Sequence, residues 1–118
     1  MKCSLFNDFQ HVADNRMIAT ILESIKDGSL CGDTIKRLRE LVSKGASDEA
    51  AALKKTLPAF TPAGMFNKKR SNEKLSLYSG IVHLDLDHIP AEDYDRIFKL
   101  ATACEYTFAC FRSASGDG

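Results

Sequence analysis

The chain has no tryptophan, three prolines, four cysteines and no net charge, because sixteen Lys and Arg balance sixteen Asp and Glu over 118 residues. Charge balance does not favour a globally basic nucleic-acid binder and leaves room only for local basic patches. The cysteines stand at 3, 31, 104 and 110, with no CxxC and no histidine at finger spacing. Free thiols in a reducing cytoplasm are therefore expected over a zinc site or a disulfide framework. His11, His83 and His88 form no HExxH. No apolar run approaches the ~20 residues of a membrane span. The opening MKCSLFNDFQHVADNR turns polar too soon for a secretory signal. Internal repeats and low-complexity tracts are also missing.

What is present is ordinary globular composition, 44% apolar and 27% charged. That rules out a wholly disordered chain. For 13.0 kDa, surface scaling gives roughly 6,300 Å² folded against about 18,900 Å² extended, enough to bury a core without staples.

Residues 1–57 read as a helical N-terminal region. Met17, Ile18, Ile21, Leu22 and Ile25 recur at helical spacing before a stop at Asp27-Gly28. A second helix is expected from an Asp33 N-cap to Gly45, with Ile35, Leu38, Leu41 and Val42 inward and Lys36, Arg37 and Arg39 mostly off that face. Ser47 is the expected cap of a third, with Asp48 and Glu49 in the first turn and Pro58 beyond the end. Residues 58–76 form a basic loop or linker with one short strand near Met65-Phe66. Lys68, Lys69 and Arg70 are its densest basic run, either a solvated turn or a nucleotide or nucleic-acid contact.

Residues 77–118 carry the chemistry. Leu77 to Leu84 reads as a buried strand leading into Asp85-Leu86-Asp87. Alternation puts His83, Asp85 and Asp87 on one face, the two aspartates about 6.6 Å apart along the backbone. Carboxylates at that spacing can converge on a divalent cation such as Mg²⁺ or Mn²⁺, or can simply end a strand in water. A helix is expected from Pro90, its inner face Tyr94, Ile97, Phe98 and Ala101, then a second apolar strand over 106–112. The small-residue run Ser113-Ala114-Ser115-Gly116-Asp117-Gly118 follows, a bend whose backbone N–H groups can approach an anion. The fold class expected from this order is α+β, N-terminal helices followed by a partial sheet.

Three blocks, LPAFTPAGMF, YSGIVHLDLDHI and FRSASGDG, together resemble the VirE N-terminal-domain family of bacterial mobile elements, grouped with the archaeo-eukaryotic primase, or primase-polymerase, superfamily. The resemblance covers about residues 55–118. It implies an RRM-like palm, with Asp85 and Asp87 as catalytic metal ligands for Mg²⁺ or Mn²⁺. It implies Ser113, Ser115, Gly116 and Gly118 as the loop handling the triphosphate of a nucleoside triphosphate. It further implies a nucleic-acid template, DNA first, a helicase as partner or fused domain, and a role in the replication of a mobile element or phage. Arg112 or the Lys68–Arg70 run would help to hold phosphate or template. The family pattern continues past the second glycine with a basic residue or histidine and a third carboxylate on a later strand, and this sequence stops at Gly118. The expectation is therefore a truncated domain that binds metal weakly and does not polymerise alone. Two other readings remain open. A haloacid-dehalogenase-like phosphotransferase would use Asp85 as nucleophile, and a non-catalytic module would bind DNA or a helicase.

Overall fold

A computed structural model describes residues 1–116 and 118. The fold is α+β. It opens with an antiparallel hairpin, β1 (Lys2–Phe6) and β2 (Val12–Met17). Helices α1 (Ile18–Asp27), α2 (Gly32–Ser43) and α3 (Ser47–Lys54) follow. Then come the short strands β3 (Ala59–Thr61) and β4 (Gly64–Phe66), a 3₁₀ turn at Asn72–Lys74, β5 (Leu75–Tyr78) and helix α4 (Ala91–Ala103). Strand order is β2-β1-β3 in one sheet and β4-β5 in the other, all antiparallel.

The hairpin is an addition to the helical N-terminal region read from the sequence. Four consecutive residues of β1, Cys3 to Phe6, are buried, so no alternation marks it. β2 is a polar, exposed edge, VADNRM, of a composition that strands usually avoid. Its turn is held by Asp8, whose carboxylate accepts from the backbone N–H of Gln10 (3.0 Å) and of His11 (2.7 Å) and pairs with the His11 ring at 2.7 Å. Those contacts, led by the His11 N–H, then the ring, then the Gln10 N–H, pull the Asp8 carboxyl down to about 2. The same turn captures the basic run. Val12 N–H donates to Lys68 O (2.9 Å) and Arg70 N–H to Gln10 O (2.8 Å), with His11 and Lys69 bridged between them.

Ser4 joins the two sheets. It is fully buried, donates from Oγ to Asn15 Oδ1 (2.6 Å) on β2 and accepts from the Phe66 N–H (2.9 Å) on β4. Phe6 and Phe66 meet edge to face at 6.3 Å between ring centres beside it. Gly64 is required where β4 meets β5, because a Cβ there would overlap the Leu77 carbonyl oxygen.

Two apolar clusters hold the helices. Ile18 and Ile21 of α1 bury against Cys3 and Leu5, with Leu22, Ile25, Phe60 and Ile81 around them. Leu38 of α2, Ala50 of α3 and Leu57 form the second, with Ile35, Leu41, Leu53 and Ala114 against it. Each fully buried Leu or Ile contributes roughly 1.5–3 kcal/mol relative to exposure. The helix stops fall as the glycines dictate, Gly28 and Gly45 at φ 74° and 72°. The caps differ. Cys31 and Ala46 precede α2 and α3, so Asp33 and Ser47 lie inside their helices, two residues and one residue past the cap, and neither start has a side-chain cap bond.

The expected strands over 77–87 and 106–112 are corrected. β5 ends at Tyr78, paired with Gly64, and 79–87 carries no ladder. The reason is the partner: past Gly64 the backbone turns at Pro62-Ala63, where the Ser79 N–H and Oγ bond to Ala63 O and Pro62 O, so Ile81 onward has no strand beside it. Residues 107–112 are likewise irregular. Their apolar side chains stand in water, Val82 at 73%, Leu84 at 80% and Phe108 at 59% exposure. Total accessible surface is 8458 Å², well above the roughly 6,300 Å² of a closed domain of this mass.

Candidate functional site

Asp85 and Asp87 stand on an exposed, unpaired segment. The expected burial of that segment is therefore corrected, and exposed carboxylates carry no desolvation cost that would call for a cation. Both acids are exposed, and among the described residues no group of three or more His, Cys, Asp or Glu is gathered to hold a metal. Immediately after Asp87 the backbone turns sharply. His88 adopts φ 56°, a left-handed conformation uncommon outside glycine, and Pro90 then starts α4.

The Ser/Gly run returns to this point. Gly118 lies so close to the 86–87 backbone that a Cβ on it would overlap the Leu86 carbonyl oxygen and stand 3.6 Å from Asp87 Cα. The bend is closed by Ser113. Its N–H donates to Gly118 O at 2.6 Å, and its Oγ accepts from the N–H of Gly116 (3.3 Å) and Gly118 (3.2 Å). Ser115 Oγ lies 3.4 Å from Ser113 Oγ. Asp117 is outside the described residues. The amides of Gly116 and Gly118 thus bond within the turn, and do not point outward as an anion cradle would require.

Cationic donors come instead from two arginines that clamp the turn. Arg112 donates from Nε (2.8 Å) and Nη2 (2.6 Å) to Gly116 O, while its guanidinium carbon lies 4.8 Å from the Tyr94 ring centre. Arg39 of α2 donates from Nη2 to Ser113 O at 3.0 Å. Gly116, at φ 89°, packs on the Arg39 side chain. A guanidinium has five N–H donors, so each arginine keeps donors beyond those on the turn. Ala114 anchors the turn on the Leu38, Ala50 and Leu57 cluster. α4 supplies Tyr94, stacked on Phe98 at 5.9 Å.

The structure therefore brings Asp87, Ser113, Ser115, Gly116 and Gly118 into one neighbourhood, with Asp85 two residues away along an exposed segment. Lys68–Arg70 is held apart, on the hairpin tip. The sequence reading missed Arg39 as a partner of the turn. It lies 74 residues from Ser113, and helical periodicity marks it only as a solvent-facing cation. Tyr94 was read as a core residue, and its ring carries Arg112. Cys3, Cys31, Cys104 and Cys110 are free thiols, and burial pushes the first two up in pKa. Among the described residues no helix is long and apolar enough to cross a membrane.

Residues 52–118 match the family described as BT4734-like, N-terminal domain, and the chain belongs to that family. This corrects the VirE N-terminal-domain resemblance: the segment holding the Asp85-Leu86-Asp87 and Ser/Gly blocks belongs to a family of another name, and the match carries no primase assignment. No curated protein and no solved structure matches the chain.

Proposed function

For this member of the BT4734-like N-terminal-domain family, we propose binding of a divalent cation–nucleoside triphosphate complex between Asp85, Asp87 and the turn 112–118, in the service of nucleotidyl transfer. The observation that carries this reading is the seat of Gly118 against Leu86 and Asp87, which joins an acidic pair to a turn clamped by two guanidinium groups.

The donor set suits the group. Mg²⁺ is commonly held by one or two carboxylates, its remaining positions filled by phosphate oxygens and water, and Asp85 and Asp87 are hard oxygen donors of that kind. Such a cation, when bound, neutralises phosphate charge and orients the triphosphate for in-line attack. The chain's own part is placement. Arg112 and Arg39 direct their remaining N–H donors to phosphate oxygens, which favours bidentate contact. Ser113, Ser115, Gly116 and Gly118 keep the wall low enough for close approach. A nucleic-acid template, a helicase-type partner and a cytoplasmic setting complete the proposal. With two carboxylates to offer a cation, we expect cation and nucleotide binding by this chain without strand synthesis.

Isothermal titration with ATP tests it. Binding is expected with Mn²⁺ or Mg²⁺ present, and is lost with EDTA or in Asp85→Asn with Asp87→Asn. Equal affinity for nucleotide in the double variant and the parent would show that the acids take no part.

A further inference from the structure

We propose that the cleft between α1 and α2 is a track for the phosphate backbone of a nucleic-acid strand leading towards the 113–118 turn. It deepens the nucleotidyl-transfer reading, on which it rests, by naming where a strand would lie.

The cleft is about 670 Å³ and partly open to solvent. Its charged lining is Lys26, Asp27, Lys36, Arg39, Glu40 and Arg112, four cations against two acids on a chain with no net charge. Asp27 accepts from the Ser29 N–H at 2.8 Å and stays an anion, its carboxyl held below the ordinary value by the Ser29 hydrogen bonds, so the lining carries a net excess of two cations. Arg39 and Arg112 stand at the end where the turn is clamped. Lys26 and Lys36 are exposed and line the same cleft. The floor is apolar, Ile25 and Ile35. Small-molecule sites enclose most of their ligand, and this trough is partly open and has no aromatic residue in its lining. A ligand is thus held by its phosphates, with electrostatic tracking and little reading of bases. The second basic trough, beside Lys68, Lys69 and Lys74, lies on the hairpin side without the arginine pair, and is the natural control.

The test is fluorescence anisotropy of a labelled oligothymidylate of about 12 nucleotides, and of a duplex of equal length, with the full chain in EDTA. Omitting divalent metal separates this outcome from that of the Asp85–Asp87 site. Lys26→Ala with Lys36→Ala removes two phosphate contacts, worth about 0.7 each in the log–log salt slope for single strands. Between about 50 and 200 mM salt the parent should then lose about 7-fold more affinity than the double variant. Lys36→Ala alone, on an exposed helix face, should give about half the slope change and excludes a folding defect as the cause. Preference for the single strand or the duplex identifies the form carried, and either supports the track. The proposal is overturned if neither form binds at low salt, or if both variants keep the parental affinity and slope. It is overturned equally if Lys68→Ala with Lys69→Ala abolishes binding that the cleft variants retain.

Discussion

Replacing Ser4 by alanine removes one oxygen from the junction of the two sheets. That oxygen is donor to Asn15 Oδ1 at 2.6 Å and acceptor from the Phe66 N–H at 2.9 Å, in a residue with no exposed surface. The two losses are unequal. Asn15 lies on an exposed edge strand, so its amide returns to water at little cost. The Phe66 N–H is half-buried and loses the oxygen to which it donates, a desolvation penalty of about 1–3 kcal/mol. At about 2.1 cal/mol/K per residue, unfolding entropy for this length is roughly 0.25 kcal/mol/K, so the melting temperature should fall by about 4–12 °C. Asn15→Ala leaves the buried Ser4 hydroxyl without the oxygen to which it donates, and should also cost about 1–3 kcal/mol. Thermal unfolding followed by circular dichroism measures both. If Ser4→Ala melts within about 2 °C of the parent, the hydroxyl does not join the sheets.

Two further outcomes follow from the same framework. Gly64→Ala places a Cβ against the Leu77 carbonyl oxygen. It should lower stability by about 1–3 kcal/mol in urea titration, with lost protection of the β4–β5 amides in hydrogen exchange. The Asp8 carboxyl, held at about 2 in the folded chain against an ordinary 3.8, binds its proton more weakly folded than unfolded. Its contribution to stability is present above about pH 4 and disappears as pH falls through about 2. NMR titration of its carboxyl carbon should show a midpoint near 2, and Asp8→Asn should flatten the stability profile over that interval.

The helices were legible because their signals are local. Ile18 and Ile21 recur at 3.6-residue spacing before Gly28 ends the turn, and Tyr94, Ile97 and Ala101 mark the half-buried face of α4. β2 was not legible, since VADNRM has strand geometry only because β1 lies beside it. The run Ile81-Val82-His83-Leu84 shows the converse. β-branched and apolar residues favour a strand, but a ladder needs a second backbone, and β4 ends before it can serve. In the candidate site, Asp85, Asp87 and the Ser/Gly run were visible as types in order. Their meeting depends on Gly118 reaching Leu86, and the clamp depends on Arg39 from another helix, neither of which periodicity encodes.

The central claim is that the acidic pair and the turn act on one cation–nucleotide complex. Amide-resolved NMR with substoichiometric Mn²⁺ and ATP tests it most directly. Selective broadening of residues 85–88 together with 113–118 is expected, abolished in Asp85→Asn with Asp87→Asn. Broadening centred on another acidic stretch, such as Glu92 to Asp95, or on one of the two segments without the other, would contradict it.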